Sequence, residues 1–220
     1  MEVGFFFWPY NPGLVENLAD RADRYGYDMI GIADTPGNAM DPWVSAALAA
    51  RVTKKARVAL CVTNIVTRDA AISAAAIASI DQIIEGRAVL GIGAGHSGTK
   101  NLGRSNSTAK ELGEGVTFIK TLLRGEAATL KGATAHLPWV KKPSKVFLAA
   151  SHPLGLAAAG RTADGVFLNF GLGKDNIAQS EAIVAKGISD AGRSAGDVEV
   201  WQIGALDCAM DGDVAGVEQD

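Results

Sequence analysis

The strongest constraint on this 220-residue chain is the alternation of short β-rich runs with helical patterns from one end to the other. That alternation marks βαβ units whose strands run parallel. The runs fall at 3–8, 29–33, 58–65, 88–92, 146–150, 165–170 and 198–208, with Cys208 at the end of the last. Asn11-Pro12 opens a first helix with Leu14, Leu18, Ala22 and Tyr25 at helical spacing. Asp41-Pro42 supplies an N-cap and an N1 proline for a second, carrying Val44, Leu48 and Val52. A third is expected to bury Ile72, Ala76, Ile80 and Ile83 on one face. Thr108 and Glu111 form a capping box for a helix with Val116, Ile119 and Leu123, stopped by Gly125. Residues 126–144 read as an irregular connection, and helices near 154–162 and 176–191 complete the pattern. Seven units fit a TIM (β/α)8-type barrel, incomplete at its C-terminal end, better than a doubly wound sheet. With no internal repeat or linker, residues 1–220 read as a single domain lacking its last unit.

With 48% hydrophobic and 20% charged residues, the chain can bury a large core, which excludes disorder. Its 21 basic and 24 acidic residues are scattered, so it has no electrostatic footprint for nucleic acid or an anionic membrane surface. A small-molecule partner is expected instead. No apolar stretch reaches the roughly 18 residues of a membrane span, and the N-terminus lacks the pattern of a signal peptide. Cys61 and Cys208 both sit in strand-like apolar runs, where a reduced thiol behaves as a small hydrophobe; a cytoplasmic location is the expectation.

In such a barrel the chemistry sits in the loops after the strands' C-terminal ends. Those loops hold Asp34-Thr35-Pro36, Thr63-Asn64 with Thr67-Arg68-Asp69, Gly93-Ala94-Gly95-His96-Ser97-Gly98, Ser151-His152-Pro153 and Asn169. Asp34, Thr63 and Asn64 have an ordinary reading as turn and strand-end polar groups. Glycines 91, 93, 95 and 98 permit close backbone approach and leave amides pointing outward, although tight turns also need glycine. The run from Gly93 to Gly98 matches G-x-G-x-x-G, but it follows the fourth strand, and Glu111 and Glu114 lie inside the next helix rather than at a strand end. Nicotinamide binding by a Rossmann fold is therefore disfavoured. Of the three histidines, His96 and His152 fall in these loops and His136 does not.

The runs Val62-Thr63-Asn64 with Thr67-Arg68, Gly86 through Gly95, Leu122-Leu123-Arg124-Gly125-Glu126, Phe147 through Ser151, and Ala159 through Val166 together resemble the luciferase-like monooxygenase superfamily. Among its branches they are most similar to the coenzyme F420-dependent methylenetetrahydromethanopterin reductase-like proteins. The resemblance implies binding of F420, or alternatively FMN, at the top face and hydride transfer through the central ring. Position by position, Cys61-Val62 resembles the family's strand-three bulge, often a non-prolyl cis peptide. Thr63, Asn64, Gly95, His96, Ser97, Ala150, Ser151, His152 and Pro153 resemble further cofactor contacts.

The chain departs from that pattern in having Asp34-Thr35 where F420-dependent relatives often have Asp-His, and His96 where they often have an acid. It also has Phe6 where the reductases carry a glutamate, which argues against that particular reductase activity. Asp34, Thr35 and His96 are the catalytic candidates, with His96 the leading proton donor because an imidazole titrates near neutral pH. The expected activity is hydride transfer between F420 and a small organic substrate. FMN-dependent monooxygenation, or a non-catalytic flavin-binding protein, stand as alternatives. A barrel that does not close leaves its first and seventh strands unpaired, so association into a homo-oligomer is expected.

Overall fold

The structure, a computed structural model, describes residues 1–169 and 171–204. The elements are β1 (Gly4–Phe7), α1 (Pro12–Tyr25), β2 (Met29–Ile32), α2 (Pro42–Val52), β3 (Arg57–Asn64), α3 (Ala70–Ile84), β4 (Ala88–Gly93), α4 (Ser97–Asn101) and α5 (Ala109–Leu123). They continue with β5 (Ala128–Leu130), β6 (Ala133–Ala135), β7 (Lys145–Ala150), α6 (Pro153–Thr162), β8 (Gly165–Leu168), α7 (Lys174–Asp190) and β9 (Glu199–Gln202). Seven strands form one sheet in the order β1-β2-β3-β4-β7-β8-β9, every neighbouring pair parallel. The sheet is a curled, incomplete TIM-type barrel in which, among the described residues, β1 and β9 are the two edges and are not paired to each other.

Residues alternate across the sheet, as the two-residue period of a strand demands. Ile30, Ile32, Val58, Leu60, Leu90, Ile92, Val146 and Leu148 face outward and join the helices in the main core. Met29, Ala59, Val89, Phe147 and Phe167 face inward and fill the concave side. At the strands' N-terminal ends this inner cluster is closed by charge. Glu199 on β9 reaches back across the arc, accepts from Arg57 of β3 at 2.8 Å and pairs with Lys145 of β7. The Arg57 guanidinium lies over the rings of Phe147 (5.4 Å) and Trp201 (5.7 Å).

The expected helix starts are present. Asn11 caps α1, Asp41 caps α2 ahead of Pro42, and Thr108 and Glu111 form the reciprocal box on α5. Three readings need correction. In α3, Ile72 and Ile83 are 55% and 47% exposed, and the buried face is Ala70, Ser73, Ala74, Ile77, Ile80, Asp81 and Ile84. Because that helix is apolar on nearly all sides, periodicity alone could not orient it. Val44 and Tyr25 are exposed for a related reason: Trp43, Ala46 and Ala49, and Val15, Ala19 and Ala22, form the buried faces of their helices. The segment 126–144 contains an antiparallel hairpin of β5 and β6, where an irregular connection was expected. Within the described residues the seventh run forms a strand over Glu199–Gln202; Cys208 lies outside the described residues. Among the described residues, no helix is long and apolar enough to cross a membrane.

Candidate active site

The strands' C-terminal ends open into a cleft of about 550 Å³. Its floor is shaped by what β2 and β4 lack. A Cβ on Gly31 would sit 2.7 Å from Cys61 Cβ and 2.8 Å from Phe6 Cβ. A Cβ on Gly91 would run into the Leu60 carbonyl and lie 2.9 Å from Val62 Cγ1, and one on Gly93 would lie 2.8 Å from Val62 Cγ2. Val62 therefore packs onto bare main chain. The Cys61–Val62 peptide is cis, and β3 carries one extra residue between Leu60 and Thr63 relative to β4, which is the expected bulge.

The polar rim assembles from four loops. After β2, Asp34 accepts from Thr63 Oγ1 at 2.6 Å, and buried Thr35 lies 3.4 Å from Ser97 Oγ. Burial pushes the Asp34 carboxyl above its ordinary pKa; the Thr63 bond opposes this, the charge of Asp41 adds to it, and Arg68 opposes it. Buried Asn64 accepts through Oδ1 from the amides of Val66 and Thr67 and from the Thr67 hydroxyl, leaving its NH₂ as a donor on the cleft. Cys61 is half-buried as a residue, yet burial pushes its thiol up to about 12, so it stays protonated and is no nucleophile at neutral pH.

After β4 the chain turns at Gly95, whose φ of +84° suits glycine, and a Cβ there would strike Thr99. Thr99 is fully buried, donates to Asn106 Oδ1 at 2.7 Å and to the His96 carbonyl at 3.2 Å, and so anchors the loop beneath an exposed His96 ring. After β7, His152 is the N-cap of α6 but makes no side-chain cap bond, and Pro153 occupies N1. The first amides of α6 are thus available to an acceptor at the cleft's edge.

The cleft gathers Asp34, Thr35, Cys61, Val62, Thr63, Asn64, Gly95, His96, Ser97, Ala150, Ser151 and His152. Pro153 is not in its lining, because its ring is spent on starting α6. Trp8, Asn106, Ser107 and Leu154 also line it and had no motif to announce them. Only the alternation of β1, which puts Trp8 on the same face as Phe6, could have found Trp8.

A parallel barrel sheet with a large polar-rimmed cleft at its C-terminal face is the architecture of (β/α)-barrel enzymes. The chain belongs to the luciferase-like monooxygenase family, whose sequence model matches residues 10–216. It is 32% identical over 209 residues to a 5,10-methylenetetrahydromethanopterin reductase of Methanolobus tindarius, covering 91% of this chain and 63% of the relative. It is 27% identical over 217 residues to an F420-dependent glucose-6-phosphate dehydrogenase of Kineococcus radiotolerans, covering 86% and 62%. Its fold superimposes on the coenzyme F420 dependent tetrahydromethanopterin reductase from Methanopyrus kandleri with a TM-score of 0.80 at 24% identity, over 91% of this chain and 65% of that one. The chain thus spans less than two thirds of the length of these relatives.

Proposed function

We propose that this protein is an oxidoreductase that uses coenzyme F420 to move a hydride to or from a small organic substrate. The observation that carries the reading is the convergence of Asp34, Thr63, Asn64, His96 and His152 on one cleft, in a family member whose relatives include F420-dependent enzymes. The residues fit such a cofactor. The glycine floor under Val62 offers an apolar seat for a flat ring, Thr63 and Asn64 offer polar groups at its edge, and the first amides of α6 with Ser151 and His152 can hold an anionic tail. Bound there, a deazaflavin would supply or accept the hydride. This chain's task is then to hold the ring flat, exclude water and manage one proton at the substrate, for which His96 and Asp34 are the candidates. Thr35 acts on this reading through Ser97, by fixing the loop that carries His96.

Sparse cysteines support a cytoplasmic setting. The continuous outer core running behind the whole sheet supports one domain. The test is titration with F420 and with FMN, followed by reduction or oxidation of bound cofactor against a panel of carbonyl compounds and alcohols. F420 should bind and exchange a hydride. His96→Ala should leave stability within about 1 kcal/mol and cut turnover roughly 10²-fold. Exclusive FMN binding with oxygen consumption would make the protein a monooxygenase, and tight binding without hydride transfer would make it a binding protein.

A further inference from the structure

The two ends of the cleft differ in chemistry. Toward β7, the α6 amides, Ser151 and His152 can serve an anion. Toward β1, the wall is Phe6 and Trp8, residues 39% and 40% exposed whose rings stand 5.6 Å apart at 59°, and Ala33 also lines the cleft. The root of Phe6 leans over Gly31, so this wall continues onto bare main chain. Among the described residues, no lysine or arginine lines the cleft, and the only carboxylate is Asp34, at the β1 end. Arg68 is turned onto the Trp43 ring (4.8 Å), and Arg104 is held by the Val66 carbonyl at 2.9 Å. A phosphorylated or carboxylated substrate at this end would lose its hydration and gain no cation in return, beside a carboxyl group that repels it.

We infer, resting on the proposed hydride-transfer function, that the substrate is an uncharged, flat, mainly apolar molecule, an aromatic or alicyclic carbonyl compound or its alcohol, seated on Phe6 and Trp8. These two side chains are its specificity determinants. The aromatic wall supplies area and ring–ring contact, while polar recognition is confined to the single oxygen presented toward the rim. The sugar phosphate named for one of the relatives does not suit this end of the cleft.

The experiment is calorimetric titration of the intact protein with acetophenone and with glucose 6-phosphate, alongside a separate F420 titration followed by deazaflavin fluorescence. Acetophenone should bind saturably and at least about tenfold tighter than glucose 6-phosphate. Trp8→Leu should weaken acetophenone about tenfold, the loss of one ring contact with its buried area, while changing F420 affinity less than about twofold. Phe6→Leu, checked for folding by circular dichroism, gives the second reading if the first variant is unstable. Preference for glucose 6-phosphate, or unchanged acetophenone affinity in the folded variants, overturns the inference. Failure to bind F420 would instead overturn the cofactor assignment, since the acetophenone series is read without cofactor.

Discussion

At the scale of single residues, Asp34 carries the sharpest electrostatic prediction. Burial favours its neutral form, and neither the Thr63 hydrogen bond nor Arg68 cancels that effect. A folded-state pKa raised above the ordinary 3.8 means that Asp34's favourable contribution is complete below that value and is lost as pH rises through the folded value. At neutral pH the ionised side chain therefore weakens the fold. Asp34→Asn keeps an acceptor for Thr63 and removes the charge, so its Tm at pH 7 should exceed the native protein's. The gain should fade as the pH is brought below 3.8, and turnover should drop. A lower Tm at pH 7 would show that the carboxylate is stabilised in a way its surroundings do not reveal.

At the scale of elements, α6 and α7 meet backbone to backbone through glycine. A Cβ on Gly187 would lie 2.5 Å from the Ala157 carbonyl, and one on Gly160 would lie 2.9 Å from the Ile188 amide. Gly187→Ala improves helix propensity by about 1 kcal/mol. Forcing the two helices apart costs about 1–3 kcal/mol, so urea unfolding should show a net loss of stability. A stabilised variant would mean that the helices can separate freely. Caps such as Asn11, Asp41 and the Thr108–Glu111 box were legible because capping is local chemistry. The faces of α2 and α3 were not, since small residues such as Ala46, Ala49, Ala74 and Ala78 lie against the sheet while larger Val44, Ile72 and Ile83 face water. The β5–β6 hairpin was hidden by strands of three residues rich in alanine and threonine. Its one signal was Lys131-Gly132, both at positive φ, as a two-residue hairpin turn requires.

At the scale of the whole molecule, Glu199 ties β9, which among the described residues pairs only with β8, to β3 and β7 across the concave side. Burial alone would raise its pKa, but Lys145, Arg57 and the Trp201 indole hold it below the ordinary 4.5. The stability it confers is therefore present above that pH and disappears as pH falls through the lowered value. Glu199→Gln should cost about 2 kcal/mol at pH 7, with the difference from the native protein vanishing in acid. A constant difference across pH would assign the effect to packing. The candidate site was legible to the extent that parallel strands deliver their loops to one face, which placed Asp34, Asn64, His96 and His152 correctly together. Leu154 enters the same cleft through helix placement, which no local pattern encodes, and Trp8 was signalled only by the alternation of β1. The bare strip at Gly31, Gly91 and Gly93 also divides the cleft into positions that evolution can and cannot alter. Any side chain added to the floor collides with neighbouring strands, whereas Phe6 and Trp8 are part-exposed and His96, Ser97 and His152 are exposed. New substrates should therefore be reached by drift along the rim and the β1 wall above an invariant base, and a variant library confined to those positions should keep most of its members folded.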